Sequence, residues 1–446
     1  MSKFDEPPGS FVLPEADEHL VPVSGGADST VLALYLRKHF PKVAFTYLFC
    51  DTKAEPDELY ASLARLEDAL GQKIIRLHSE RGGLYELIEE QGGFLPSSQA
   101  RWCTRLTKSA PLASWLKASP KRRTMSVGIR SDERTRLGLS LPDVATVLPF
   151  VELGWSRSDV FDALRATIGI PAFYRFRSRS GCAPCPFQRR SEFAGLLENS
   201  PAEFEQALGY EKLSPADSLR HESAPSLSVD TGWTANHFSL PLPEQPFASG
   251  RAQRGDDLFG SRGIFLAAEF FTAVYPGYAP FTWWQRLVSF STTSSGIQRQ
   301  VDMRFQHLRD TREAWDLGEE DLANVRYALY YIEAPADVFD PDAPGLGSFT
   351  WQSGVGLKQL RHVMTWAGRV LHAHTLAQDA STLGTHVSEL TWSAEHARES
   401  DLALRRAKDN PAPLGRLVNM GLYMPREPRL DDELDERFVT CPACSI

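Results

Sequence analysis

The stretch Val21-Pro22-Val23-Ser24-Gly25-Gly26-Ala27-Asp28-Ser29-Thr30, followed at once by Val31-Leu32-Ala33-Leu34-Tyr35-Leu36, constrains the fold of this chain more than any other. A short apolar run ends in a hydroxyl and two glycines; an acid and two hydroxyls then open a second apolar run of helix-forming residues. This pattern reads as a strand, a tight turn and a helix N-terminus. The N–H groups and hydroxyls of such a turn suit an anion, and the helix dipole favours negative charge there. Gly25 and Gly26 allow the close backbone approach that a phosphate needs. Asp28, Ser29 and Thr30 read equally well as ordinary capping residues. Pro22 is unusual inside a strand because it has no N–H to give to a sheet ladder.

The text that follows alternates. Strands are expected over 19–23, 43–50, 73–77, 124–130 and 144–150, and helices over 28–39, 56–70, 82–91, 156–168 and 191–208. Strand–helix alternation predicts an α/β fold with a doubly wound, mostly parallel sheet. Ligands of such sheets sit beyond the carboxyl ends of the strands, which places the 24–30 loop and Asp51 on one rim. Residues 1–18 read as a polar lead-in and 19–213 as the α/β domain. Pro, Ser and Gly accumulate over 214–257, which reads as a linker. Residues 258–446 are expected to form a second, mostly helical domain, with helices at 264–274, from 281, at 319–332, 356–376 and 387–408. Its aromatic residues read as core.

With 446 residues, 42% hydrophobic and 24% charged, the chain has the composition of a two-domain globular protein. It holds no uninterrupted apolar run of about 20 residues, the length of a membrane span, so no membrane partner is expected. Its start lacks the apolar core of a secretory signal, so a cytoplasmic location is expected. There, six cysteines read as metal ligands or redox groups rather than structural disulfides. The net charge of −9 conceals a basic stretch: residues 96–190 hold 17 Lys and Arg against 6 Asp and Glu. That imbalance suits an anionic substrate.

The Ser-Gly-Gly-x-Asp-Ser pattern at 24–29 resembles the pyrophosphate loop of the ATP-pyrophosphatase (PP-loop) superfamily, and differs from a Walker A loop. Many of those relatives carry Lys where this chain has Ala27. Phe49-Cys50-Asp51-Thr52 is similar to the strand-end Asp-Thr of phosphoadenylyl-sulfate (PAPS) reductases. Arg101-Trp102-Cys103-Thr104-Arg105-Leu106-Thr107-Lys108-Ser109-Ala110-Pro111-Leu112 and Gly128-Ile129-Arg130-Ser131-Asp132-Glu133-Arg134-Thr135-Arg136 resemble two further family segments. Leu148-Pro149-Phe150, Trp155 to Phe161 and Gly169-Ile170-Pro171 then lead into Gly181-Cys182-Ala183-Pro184-Cys185. In that order they identify residues 19–195 as PAPS reductase-like.

The resemblance implies an adenine nucleotide alpha hydrolase-like fold. ATP would be held by Ser24, Gly25, Gly26, Ser29 and Thr30 with Gly128 and Glu133. Asp28 would act through Mg2+, Asp51 would bind the ribose or the same metal, and Arg130 and Arg136 would grip phosphate or sulfate oxygens. A Cys-x-x-Cys turn is a bidentate soft-metal clamp. By resemblance, Cys103, Cys182 and Cys185 would bind a [4Fe–4S] cluster, with zinc as the alternative. Trp102 and Thr104 flank Cys103 where four-cysteine relatives carry an adjacent pair, so either one iron stays open or a fourth ligand comes from elsewhere; the terminal Cys441-Pro442-Ala443-Cys444 clamp reads as the source of that ligand, Cys444, as a mobile dithiol, or as a zinc site shared with another chain. Cys50 reads as core.

The expected function is therefore an ATP-dependent sulfur-transfer enzyme that releases pyrophosphate and uses an iron–sulfur site. It resembles the DNA-phosphorothioation and thionucleoside-forming branches of the superfamily. Its acceptor would be nucleic acid, DNA or RNA, or a nucleotide, and its partner a cysteine desulfurase or thiol donor; self-association stays open. The alternatives are a PAPS or adenylyl-sulfate reductase releasing sulfite, and a catalytically inactive nucleotide-binding module.

Overall fold

The structure, a computed structural model, describes residues 3–97, 100–133, 143–213, 242–248, 262–273, 281–315, 317–334, 350–351, 356–378 and 416–426. The first half alternates as its sequence predicts. Strand β1 (Glu18–Pro22) leads through the glycine turn into α1 (Ala27–His39), then β2 (Phe45–Cys50), α2 (Asp57–Leu70), β3 (Ile75–Leu77) and α3 (Leu84–Glu90). A short helix α4 (Trp102–Thr104), a π-turn over Arg105–Ser109 and α5 (Ala110–Lys117) precede β4 (Arg123–Ser126). Strand β5 (Val144–Val147), α6 (Pro149–Glu152) and α7 (Arg157–Ala166) follow. The five strands lie in the order β3-β2-β1-β4-β5 and every pairing is parallel.

Helix α1 is apolar on nearly all sides because it is buried on nearly all sides: every residue from Ser29 to Leu36 lies in the interior. Pro22 is tolerated in this central strand because the ladder with β4 stops at Leu20–Met125, two residues before it. Helix α7 starts on a capping box in which Ser156 and Asp159 bond each other's backbone N–H. Ser158 is not a cap; its hydroxyl meets that of Ser156 at 2.9 Å. The single helix expected over 191–208 is two, α8 (Arg190–Asn199) and α9 (Pro201–Gly209), because Pro201 begins a new first turn.

The second region corrects the expectation of a mostly helical domain. Its centre is a four-stranded antiparallel sheet, β7-β6-β8-β9, made by β6 (Arg262–Ala273), β7 (Phe281–Ser291), β8 (Val325–Ala334) and β9 (Arg416–Tyr423). The segments expected as helices at 264–274 and from 281 are strands, and 319–332 is a short 3-10 turn followed by β8. These strands carry no polar–apolar alternation because both faces are covered. Ile264, Leu266, Ala268 and Phe270 of β6 enter one core with α8, α9 and the helix Leu357–Gln378. Ala267 enters another beneath the helix Ser294–Thr311. The helix expected at 356–376 is present. That expected at 387–408, and most of the 214–257 linker, lie outside the described residues. Within the linker, Phe247 and Ala248 donate to Leu422 and Met420 of β9.

The first of these cores also takes in Leu84, Tyr85 and Ile88 of α3, so the two regions share one apolar interior. Among the described residues no helix is long and apolar enough to cross a membrane.

Candidate nucleotide-binding crevice

The sheet reverses its winding between β1 and β4, and the crevice beyond their carboxyl ends is where such folds bind ligands. The 24–29 loop and the 127–133 segment form its walls. Gly25 turns the chain at φ +75°, against the side chain of Leu59, where a Cβ would be strained and obstructed. Gly26 is the N-cap of α1. Ser29 stitches the loop: its hydroxyl accepts Ser24 N–H at 3.0 Å and donates to Gly26 O at 3.3 Å. Ser180 donates its hydroxyl to Ser24 Oγ at 3.1 Å, which fixes the 180–185 turn over the loop. Thr30 is buried and its N–H already bonds Gly26 O. Ala27 N–H is taken by the Tyr174 hydroxyl at 2.7 Å. No acceptor among the described residues takes the N–H groups of Gly25, Gly26, Asp28 or Ser29. Four amides with no acceptor among the described residues, at a helix N-terminus, suit an anion.

The second wall meets the first through charge. Both carboxylate oxygens of Asp28 accept from Arg130 Nη1, at 2.8 and 2.9 Å. Arg130 Nε donates to Asp132 at 2.9 Å, and Arg130 N–H to Glu133 at 3.1 Å. Burial opposes the Arg130 charge, but Asp28, Glu133 and Asp132 outweigh it and raise its pKa. Gly128 is where the walls touch: a Cβ there would lie 3.0 Å from Asp28 C and 3.1 Å from Ser29 N. Arg136 lies outside the described residues. Thus Asp28, Arg130, Gly128 and Glu133 come together with the loop. Arg130 and Glu133 do so by holding Asp28 and the backbone rather than by facing the loop amides.

Asp51 ends β2 on the same rim. It accepts Lys53 N–H at 2.9 Å and the Tyr60 hydroxyl at 2.8 Å, with the Lys53 ammonium 3.0 Å away. Burial alone would raise its pKa; these donors outweigh it and lower it. Both acids are engaged in this structure, Asp28 by Arg130 and Asp51 by Lys53 and Tyr60.

Cys182 lies close by. Its sulfur is 3.2 Å from Thr52 Oγ1 and 3.8 Å from the buried carboxylate of Glu55. Cys185 N–H closes the Cys-x-x-Cys turn onto Cys182 O at 3.1 Å. Burial, then the Glu55 charge, push the Cys182 thiol well up, while the buried Lys108 acts the other way. Cys103 sits half-buried on the shared core. Among the described residues no three His, Cys, Asp or Glu side chains gather as a metal-holding group. Cys444, the fourth thiol of the expected set, lies outside the described residues. Cys50 is buried at the end of β2, as expected of core.

Several residues of the site carry no local signal in the sequence. Thr52 and Lys108 fall within motif segments, but Glu55, Tyr174 and Ser180 are brought in by packing across more than a hundred residues. The basic stretch is also answered from afar: Arg123 pairs with Glu18, Arg130 with Asp28, and Arg157 with Asp310. Arg177 is 1% exposed and donates to Cys182 O. Much of the local excess of cations thus holds the fold together.

Residues 18–186 match the phosphoadenosine phosphosulfate reductase domain. An uncharacterized 37.8 kDa protein of Escherichia phage 186 is 27% identical over 268 residues, 47% of this chain and 79% of that protein. An uncharacterized protein of Methanocaldococcus jannaschii is 24% identical over 190 residues, 41% of this chain and 44% of that one. A crystal structure of PAPS reductase from Candida auris in complex with phosphate aligns with 36% of this chain and 80% of its own, at 14% identity and a TM-score of 0.29.

Proposed function

From the match of residues 18–186 to the phosphoadenosine phosphosulfate reductase domain, we propose that this chain is an ATP-dependent sulfur-transfer enzyme acting on a nucleic-acid or nucleotide acceptor. The observation that carries the reading is the set of unpaired amides at the α1 N-terminus, beside an Asp28 that Arg130 pairs. An unpaired carboxylate there would repel a polyphosphate, and the Arg130 guanidinium lessens that repulsion. In this reading the Gly25, Gly26, Asp28 and Ser29 amides hold the terminal phosphates of ATP. An acceptor oxygen attacks the α-phosphorus, the bond to the bridging oxygen breaks, and pyrophosphate leaves with the electron pair onto those donors. A sulfur nucleophile, delivered by a cysteine desulfurase or a thiol donor, then displaces AMP. Mg2+ enters as the counter-ion of the bound nucleotide. A [4Fe–4S] cluster or zinc on Cys103, Cys182, Cys185 and Cys444 forms no step here; iron, sulfide and zinc analysis of anaerobically purified protein decides whether those thiols carry metal.

The family match itself favours a second reading, reduction of PAPS or adenylyl sulfate with release of sulfite. Two assays separate them. Pyrophosphate release from ATP that depends on a nucleic acid and a sulfur donor supports the first. Sulfite release from PAPS with a dithiol supports the second and removes the first.

A further inference from the structure

Tyr174 sits in the short helix Ala172–Arg175, 2% exposed, with its ring edge-on to Phe161. Its oxygen accepts the N–H of Ala27, the first residue of α1, at 2.7 Å. That bond uses a lone pair and leaves the hydroxyl proton, for which no acceptor stands among the described residues. A buried O–H is thus placed at the helix N-terminus, next to the open amides of the loop. This hydroxyl and the unpaired amides are donors, which suits the oxygens of a polyphosphate.

The position of Tyr174 is set from the second region. His307, on the helix Ser294–Thr311, meets Tyr174 O through Nε2 at 2.5 Å. A carbonyl only accepts, so Nε2 carries the proton. Burial, with the Arg304 and Arg157 charges, holds the His307 pKa well below the usual value and keeps the ring neutral. Arg304 and Trp315 donate to Arg175 O at 2.9 and 3.2 Å, and Arg175 returns a bond to Ala314 O. The same helix reaches the other wall: Asp310 holds Arg157 at 2.7 Å, Arg157 N–H holds Asp132, and Asp132 holds Arg130. Both walls of the crevice are therefore tied to one helix of the second region.

We propose that Tyr174 contacts the bound phosphate directly, donating its hydroxyl proton to the anion on the loop, and that His307 is the positioning residue that holds it there. The inference rests on the loop being a nucleotide site, and it gives the second region a task in that site. Burial first, and the Asp28 charge second, push the Tyr174 pKa up to about 12, so the proton stays in place across the neutral range.

The test is calorimetric binding of ATP, pyrophosphate and adenosine to the full chain, with melting temperatures alongside. Tyr174→Phe is expected to weaken ATP and pyrophosphate about 10-fold, the worth of one charge-assisted hydrogen bond, and to leave adenosine unchanged. His307→Ala is expected to do the same, and His307→Gln, whose amide also reaches the Tyr174 carbonyl, to restore binding. Should Tyr174→Phe fail to fold, the two His307 variants carry the same comparison. A structural role alone would lower the melting temperature and weaken adenosine equally, which overturns the proposal. Wild-type protein that binds while all variants bind as well or better overturns this assignment alone. Wild-type protein that binds neither ATP nor pyrophosphate overturns the nucleotide reading with it.

Discussion

Arg130 and Asp28, 102 residues apart, meet head to side: one guanidinium nitrogen serves both carboxylate oxygens, at 2.8 and 2.9 Å. The pair joins the end of β4 to the first turn of α1 and sets the charge of the crevice. Arg130→Ala would leave Asp28, Asp132 and Glu133 without the guanidinium they share. Because Asp28 is 30% exposed, the stability cost should be on the order of 2 kcal/mol, below that of a fully buried pair. Nucleotide affinity should fall more than stability implies, since the naked Asp28 then faces the phosphates. Urea melts and ATP titrations on the same samples check both; unchanged ATP binding would show that Arg130 plays no part in the charge balance of the site.

Gly128 offers a second test. A methyl group here meets backbone, Asp28 C at 3.0 Å and Ser29 N at 3.1 Å, and backbone cannot swing aside as a side chain does. Gly128→Ala should push α1 away from β4, lowering the melting temperature by several degrees and weakening ATP binding at least 10-fold. Gly154→Ala is the contrast for binding, because Gly154 has open space around it. Its positive φ of 65° still brings some backbone strain, so only the ATP titration separates the two variants cleanly.

How far the sequence foretells this molecule depends on how local the cause is. The α/β half is legible because each strand–turn–helix unit is short and its period changes cleanly, so Glu18–Pro22 and Ala27–His39 appear within a residue or two of where 19–23 and 28–39 place them. The second sheet is not, since β6 and β8 are covered on both faces and a doubly buried strand loses its alternation. Phe-rich text such as Ile264 to Phe271 is then indistinguishable from a buried helix. In the site, the loop and the Gly128–Glu133 wall announce themselves through residue type and spacing. Tyr174 and His307 do not, because their roles arise from a contact between elements 133 residues apart. The Cys182–Cys185 spacing does foretell a turn, but not that the Cys182 sulfur faces Thr52 and Glu55.

The second region has its own buried charge cluster, and it yields a prediction about acid. Glu269, fully buried in β6, accepts from Arg286, Arg304 and Tyr327. Burial alone would raise its pKa; the Arg286 and Arg304 charges outweigh it and bring it down to about 2. A lowered carboxylate pKa stabilises the fold above the unfolded value, near 4.5, and that contribution is lost as pH falls toward 2. Glu269→Gln should cost about 3–5 kcal/mol at neutral pH, because two buried guanidiniums then face a neutral amide. The variant should also lose its share of the acid dependence between pH 4.5 and 2. Denaturant melts across that range check both; a cost that stays the same at pH 2 and pH 7 would contradict the assignment of charge to Glu269.

Glu211 titrates in the opposite sense. Lying just beyond α9, it caps the helix Leu357–Gln378: Oε2 accepts Leu357 N–H at 2.7 Å and Lys358 N–H at 3.4 Å, and Oε1 accepts Trp351 N–H at 3.0 Å. Those donors favour the charged carboxylate, yet burial is the larger effect and raises its pKa to about 7. An acid whose pKa rises on folding stabilises the fold most below its unfolded value, and that advantage fades as pH climbs from about 4.5 to 7. Glu211→Gln keeps an oxygen for the amides and removes the titration. Wild-type protein should therefore lose stability relative to this variant over that interval, by on the order of 2 kcal/mol. The loss should appear first as faster amide exchange at the start of the Leu357–Gln378 helix, where the cap acts. Parallel stability curves for the two proteins between pH 4.5 and 7 would mean that the carboxylate is already ionised throughout, with the three amides outweighing burial.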